Sequence, residues 1–279
     1  MPTYRLTIEY DGSKFSGWQT QVEQRTVQGV LVRVLRELTS DDELMLQGAG
    51  RTDAGVHALG QVASLRCARR LAVDSLLARL ERALPADLAV LDIRPVADGF
   101  HARHDAVARS YRYQITRRRS AFGKRATWWI GDPLDVERMR AAAALFVGRH
   151  DFSAFARPGH RAPSTIVVVD ECGLWELGEL ILLRVVASHF LWGQVRRMVG
   201  ALATVGRSAA EPGDVARWLD KTAPPPALAA PAAGLFLERV CYPGEPRTLP
   251  LPTPVGVPWP DRDAPPGAGA AHPPRRPRR

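Results

Sequence analysis

Tyr4, Leu6, Ile8 and Tyr10 alternate with Thr3, Arg5, Thr7 and Glu9. Strict period-2 patterning of this kind describes a strand with one buried and one wet face. In a chain that mixes such polar-faced strands with helices, an antiparallel sheet is favoured. Segments of helical period follow. Thr26 is placed to cap a helix whose apolar face is Val27, Val30, Leu31, Val34 and Leu38. A strand is predicted around Gln61–Arg66, a helix opened by Asp74 with Leu76, Leu77, Leu80 and Leu84, and a strand over Leu88–Arg94. Val107, Arg109, Tyr111, Tyr113 and Ile115 then share one strand face. Asp135 opens a helix carrying Met139, Ala143 and Phe146. Strands are predicted at Ile166–Val169 and Ile181–Val186, and Leu191, Val195, Met198, Leu202 and Val205 mark one face of a long helix. Leu235–Tyr242 alternates again and closes the domain. There is no strict repeat, but the order of elements is similar in two halves.

With 279 residues, 46% of them hydrophobic, the chain is long enough for a sizeable core and for two domains. Boundaries are expected at 1–105, 106–245 and 246–279. The last stretch holds 11 prolines in 34 residues, with six arginines against two aspartates. Such a composition cannot bury enough apolar surface to offset its ordering entropy, so a disordered Pro/Arg-rich tail is predicted there. Pro224-Pro-Pro226 and Ala227–Ala233 read as a low-complexity insert. The net charge of +9 is compatible with a nucleic-acid partner. Cys67, Cys172 and Cys241 are sparse and form no CxxC pair, which argues against a disulfide framework or structural zinc. The N-terminus has no apolar signal core and no apolar run is long enough to span a bilayer, so a cytoplasmic, non-membrane protein is expected.

Gly48-Ala-Gly-Arg-Thr-Asp-Ala-Gly-Val-His57 is the segment richest in chemistry. It packs Arg51, Thr52, Asp53 and His57 into a glycine-rich stretch that is neither strand-like nor helix-like. That is the character of a site loop held on a scaffold; a solvated turn with an Asx hydrogen bond is the plainer alternative. Residues 103–125 carry eight basic side chains (Arg103, Arg109, Arg112, Arg117, Arg118, Arg119, Lys124, Arg125) against one acid, Asp105. Tyrosines and tryptophans interleave nearby, as on a surface that binds a nucleic-acid backbone. A solvated loop is the alternative for Arg117–Arg119.

The glycine-rich string resembles the active-site segment of the tRNA pseudouridine synthase A family. The resemblance spans nearly all of residues 3–243. It includes Tyr10-Asp-Gly-Ser-Lys-Phe-Ser-Gly-Trp-Gln19, Phe100-His-Ala-Arg103, Ala108-Arg-Ser-Tyr-Arg-Tyr113, Asp151-Phe-Ser-Ala-Phe155, Val195-Arg-Arg-Met-Val-Gly200 and Gly234-Leu-Phe-Leu-Glu238, in the family's order. It implies an α+β fold of two ferredoxin-like halves, forming an extended, mainly antiparallel sheet flanked by helices, with the active-site cleft between them. It also implies a homodimer that isomerises uridine to pseudouridine in the anticodon stem-loop of tRNA, at positions 38–40, with base flipping. In that reaction the N1 glycosidic bond breaks, the uracil turns, and a carbon–carbon bond forms at C5.

Residue by residue, the resemblance makes Asp53 the nucleophile, attacking either C6 or the sugar carbon. It makes Arg196 its ion-pair partner from the second half. Arg196 and Arg197 could equally snorkel off a helix, but Val195, Met198 and Val199 leave little polar face there. Tyr111 is matched to the tyrosine against the target base, where its ring stacks and its hydroxyl handles protons at C5; read from the strand alone it is a core tyrosine. Arg51 is matched to the arginine that holds the space vacated by the flipped nucleotide. His57, Arg109 and Arg112 complete the expected substrate contacts. Trp192-Gly-Gln194 and Arg197 depart from the common bacterial pattern around Arg196. His101, His104 and His57 lack the spacing of a metal-ligand set, and no phosphate loop or GxGxxG follows a strand, so no cofactor and no metal are expected. A synthase acting at another RNA position, or a non-catalytic RNA-binding module, are the rival functions; Asp53, Tyr111 and Arg196 together argue for the enzyme.

Overall fold

The computed structural model describes residues 1–157, 159, 164–247 and 249–257. Ten strands form one mixed, mostly antiparallel sheet, with helices packed on it. The first half runs β1 (Thr3–Tyr10), α1 (Val27–Thr39), β2 (Met45–Gly48), β3 (His57–Arg66), α2 (Val73–Ala83) and β4 (Leu88–Val96). Its strands lie in the order β4-β1-β3-β2, which is the ferredoxin-like βαββαβ arrangement. The second half runs β5 (Ala108–Thr116), β6 (Trp128–Trp129), α3 (Val136–Ala144), β7 (Gly148–Asp151), β8 (Ile166–Leu177), β9 (Leu180–Ala187), α4 (Gln194–Gly206), α5 (Asp214–Leu219) and β10 (Leu235–Cys241). The order β10-β5-β9-β8 repeats the same topology, with β7 added at the edge and β6 beside β5. The similar order of elements in the sequence is thus one motif built twice.

Local signals explain most elements. The Thr26 side chain accepts from Gly29 N–H and opens α1; Asp135 accepts from Arg138 N–H and opens α3. Asp74 does not cap α2, as expected of it; the helix starts at Val73, and Asp74 sits in the first turn, where its charge complements the helix dipole. β8 outruns the predicted Ile166–Val169, because a bulge between Val169 and Glu171 carries the strand past Asp170 and Glu171. Leu191 lies before α4 rather than on it, since Gly193 turns the chain at φ 74 just ahead of Gln194.

Alternate residues of β1 (Tyr4, Leu6, Ile8, Tyr10) enter a first core with Val27, Leu31, Val34 and Leu35 of α1 and Leu76 and Leu80 of α2. A second core packs β5, β8 and β9 on α3, α4 and α5. The two exchange residues at the seam: Leu237, Val240 and Tyr242 enter the first core, Val56 enters the second, and Tyr111 packs against both. The stretch 1–105 is therefore not self-contained. β10 lies between the halves, parallel to β3 and antiparallel to β5.

The opposite face of β5 is polar. Ser110, Arg112, Gln114 and Thr116 are buried there. Glu238 of β10 accepts from Ser110 Oγ (2.8 Å), Arg184 Nε (2.8 Å) and the Arg112 guanidinium. The predicted tail begins by covering this face. Thr253 O accepts from Arg112, and Gln114 pairs its side-chain amide with both the N–H and the C=O of Val255. The expectation of disorder from 246 is corrected for these residues. Apolar content was the wrong measure, because the strap is held by buried amide and guanidinium groups; residues 258–279 lie outside the described residues.

Burial pushes the Glu238 carboxyl up, but hydrogen bonds from Arg184, Arg112 and Ser110 together bring it net below its ordinary value. Its contribution to stability is therefore complete above the unfolded-state glutamate value and is lost as pH falls through the lowered folded value. Glu238→Ala strands two buried guanidinium groups and is expected to destabilise the fold by about 3–5 kcal/mol at neutral pH, measured by urea unfolding, with the difference from the parent shrinking in acid. Truncation after Arg247 is expected to lower thermal stability, by roughly 1–3 kcal/mol for each buried polar group left unpaired.

Candidate active site

Asp53 sits in the loop between β2 and β3, on a second loop that follows β1. Trp18 N–H donates to Thr52 O (3.1 Å), Gly55 N–H to Phe15 O (3.3 Å) and Val56 N–H to Asp53 O (3.2 Å). Gly17 has φ +93, and a Cβ there would lie 2.7 Å from Thr52 O. Only glycine allows both that conformation and that approach. Tyr10, whose hydroxyl burial pushes up to about 12, pairs with Thr52 Oγ1 at 2.8 Å beneath the loop. Gln61 Nε2 donates to Gly50 O at 3.0 Å. The Tyr10–Gln19 string and the glycine-rich string are thus two layers of one platform.

The second half supplies what faces Asp53. Arg196, in the first turn of α4, places Nη1 3.4 Å from Asp53 Oδ2. Its Nε–H donates to Ala230 O at 2.6 Å, and Ala230 N–H donates back to Arg196 O at 2.9 Å. Trp192 Nε1–H donates to Asp53 Oδ1 at 2.8 Å. The Asp53 side chain is 27% exposed and that of Arg196 26%, so both are sheltered but reachable. Tyr111, half-buried, stands edge-on to Phe190 at 5.0 Å between ring centroids. Burial, followed by the charges of Tyr10 and Asp53, pushes its hydroxyl well above the ordinary tyrosine value, so it is a proton-bearing group at neutral pH. Arg51 is exposed on the same loop as Asp53.

Three expected substrate contacts are engaged within the protein itself. Arg112 is buried on the far face of β5, bonded to Glu238 and Thr253 O; strand alternation places it opposite Tyr111. Arg109 spends its guanidinium on four carbonyls: Ala106 (3.0 Å), Ser188 (3.0 Å), Ala49 (3.2 Å) and Arg103 (2.7 Å). It ties the Asp53 loop to the end of β9 instead of reaching outward. His57 is 4% exposed, and burial, the largest influence, lowers its pKa and keeps it neutral. Nδ1 accepts from Gly12 N–H (3.1 Å), and Nε2–H therefore donates to Ala233 O (3.1 Å). Asp11 Oδ1 lies 3.2 Å from Nδ1, but a nitrogen already accepting cannot donate, so this is proximity and not an ion pair.

Of the eight basic residues at 103–125, Arg103, Arg119, Lys124 and Arg125 are exposed, while Arg117 pairs with Glu176 at 2.6 Å. Among the described residues no three His, Cys, Asp or Glu side chains converge as metal ligands, and no helix is long and apolar enough to cross a membrane. Two elements of the site escaped the sequence reading. The segment read as a low-complexity insert braces the site through carbonyls: Ala230 for Arg196, Pro231 for Tyr113 (2.8 Å) and Ala233 for His57. Backbone carbonyls leave no side-chain signature. Trp192 was visible only as a departure from pattern.

A carboxylate held between the two halves of an α+β sheet meets a guanidinium and an indole N–H, with a half-buried tyrosine nearby. The chain belongs to the tRNA pseudouridine synthase family, whose model matches residues 6–105 and 142–243. It is 40% identical over 87% of its length to the tRNA pseudouridine synthase A of Agrobacterium fabrum, covering 93% of that protein. It is 41% identical to those of Paramagnetospirillum magneticum (87% of this chain, 96% of that protein) and Moorella thermoacetica (87% and 100%). Among solved structures, a chain of a Cbf5-Nop10-Gar1 complex overlays at a TM-score of 0.31 with 12% identity, over 71% of this chain and 53% of that one, too remote to bear on fold or function.

Gly17→Ala is expected to lift the Asp53 loop off its platform. The far-UV spectrum should stay that of the parent, while turnover falls about 100-fold, as a displacement of about 1 Å at a reacting group does.

Proposed function

We propose that this protein isomerises uridine to pseudouridine in tRNA, at positions 38–40 of the anticodon stem-loop, with Asp53 as nucleophile. The observation that carries this reading is the meeting of Asp53 and Arg196 across the seam of the two halves, beside Tyr111. Asp53 attacks C6 or C1′ of the flipped nucleotide, the N1–C1′ bond breaks, the uracil turns and joins C1′ through C5, and the bond to Asp53 breaks to return the free carboxylate. The proton on C5 leaves, and N1 ends protonated. Arg196 offsets the charge of the carboxylate in a sheltered site. Tyr111, with its proton retained, packs against the base and serves the proton transfer at C5. Arg51 fills the space left in the stem, an extrusion costing roughly a few kcal/mol. Exposed Arg103, Arg119, Lys124 and Arg125 hold RNA phosphates. The enzyme acts in the cytoplasm as a homodimer and needs no metal or nucleotide cofactor.

The test is tritium release from 5-tritiated uridine in tRNA, with pseudouridine mapped in the product. Asp53→Asn keeps the size of the side chain but loses the charge and the nucleophilic oxygen; it is expected to bind tRNA as the parent does and release no tritium above background. Release close to the parent's rate refutes the nucleophile assignment. Pseudouridine mapped outside positions 38–40 moves the enzyme to the rival specificity.

A further inference from the structure

Asp53 is held less firmly by Arg196 than the pairing of charges suggests. The contact is a single one, Nη1 to Oδ2 at 3.4 Å, and the Nε of the same guanidinium is committed to Ala230 O at 2.6 Å. A two-point fork would set the carboxylate plane; one long contact leaves the group free to rotate about its last bond. The other oxygen is better held. Trp192 Nε1–H reaches Oδ1 at 2.8 Å, the shorter of the two contacts.

Trp192 is itself fixed although 43% exposed. Its carbonyl accepts from Arg157 N–H at 2.8 Å, and the Arg157 guanidinium lies over its ring at 4.2 Å from the centroid. The next residue, Gly193, takes φ 74, and Gln194 Oε1 accepts from Leu191 N–H at 2.9 Å. This turn before α4 is thus locked on both sides of the indole. The only donor of a tryptophan side chain is Nε1–H, and here it is spent on the carboxylate.

Resting on the assignment of Asp53 as nucleophile, we propose that Trp192 is a positioning residue for the reaction: its indole N–H sets the plane of the Asp53 carboxylate, a task that Arg196, held by Ala230, cannot do alone. A carboxylate has about four lone-pair sites, so one bond to each oxygen orients it and leaves lone pairs for attack. Trp192 acts on turnover rather than on RNA affinity, because its donor faces the protein's own nucleophile.

The experiment compares the parent with Trp192→Phe, Trp192→His and Asp53→Asn in single-turnover and steady-state assays on a tRNA transcript. Phe keeps an aromatic ring for Arg157 and removes the N–H; His keeps a ring N–H. Trp192→Phe is expected to lower kcat about 10- to 100-fold, the effect of losing one hydrogen bond to a charged group, with KM within twofold of the parent. Trp192→His is expected to recover a large part of that loss. An unchanged kcat in Trp192→Phe overturns the proposal. A raised KM with the parent's kcat also overturns it, and makes Trp192 an RNA-contacting surface. Equal losses in Phe and His overturn it in favour of a packing role. Asp53→Asn separates the two assignments: if it stays active, the nucleophile reading itself falls, whereas an inactive Asp53→Asn beside a fully active Trp192→Phe removes only the role of Trp192.

Discussion

The joint made by β10 is the constraint on which the rest of the molecule depends. This last strand pairs with β3 through only Phe236 with His57 and Leu237 with Ala58, and with β5 along its whole length. Leu237 is also the partner of Tyr111, so Ala58, Leu237 and Tyr111 form one row across the seam. Asp53 lies a few residues ahead of His57, and the register of this row therefore sets where the carboxylate stands relative to Tyr111. Closing such a joint across some 180 residues of chain carries a loop entropy that grows only slowly with length. Apolar exchange between the cores, with Val56 going one way and Leu237, Val240 and Tyr242 the other, offsets it.

The two faces of the sheet divide the work. The helical face carries the apolar cores and the site. The other face of β5 and β10 carries a buried ionic cluster of Glu238, Arg112 and Arg184, closed over by Thr253 and Val255. Buried charges of this kind are a poor source of stability against an apolar alternative, but they penalise any register in which they lose a partner. A shift of one residue in β10 would turn Glu238 to the other face and strand two guanidinium groups. The cluster therefore defends the same register that places Tyr111 and Asp53.

Around Asp53, several side chains that look like substrate contacts are spent internally. Arg109 and His57 join segments distant in sequence, each through main-chain groups. Arg196 is half structural, with one donor on Ala230 and another facing Asp53. The outcome is a rigid setting for a small number of groups at the site: Asp53 with the Trp192 indole N–H on it, Tyr111 and the exposed Arg51. Rigid support of this kind is what a site needs when a base must be held while its bonds are exchanged.

Much of this was legible in the residues alone. Period-2 alternation in Tyr4–Tyr10 and Tyr111–Ile115, and the capping residues Thr26 and Asp135, are local properties, so they specified strands, helices and the doubled order of elements without help. The roles proposed for Asp53, Tyr111 and Arg196 were legible through motif resemblance, because roles of that kind rest on side-chain identity. Tertiary structure decided the rest, for one physical reason: partners that are backbone groups or far-off residues leave no mark in the sequence near a side chain. Arg109, Arg112 and His57 have the composition of nucleic-acid contacts, and only the carbonyls of Ala49, Thr253 and Ala233 show that they are ties. Trp192 reads as an oddity in a motif until the fold brings its N–H within 2.8 Å of Asp53, 139 residues away.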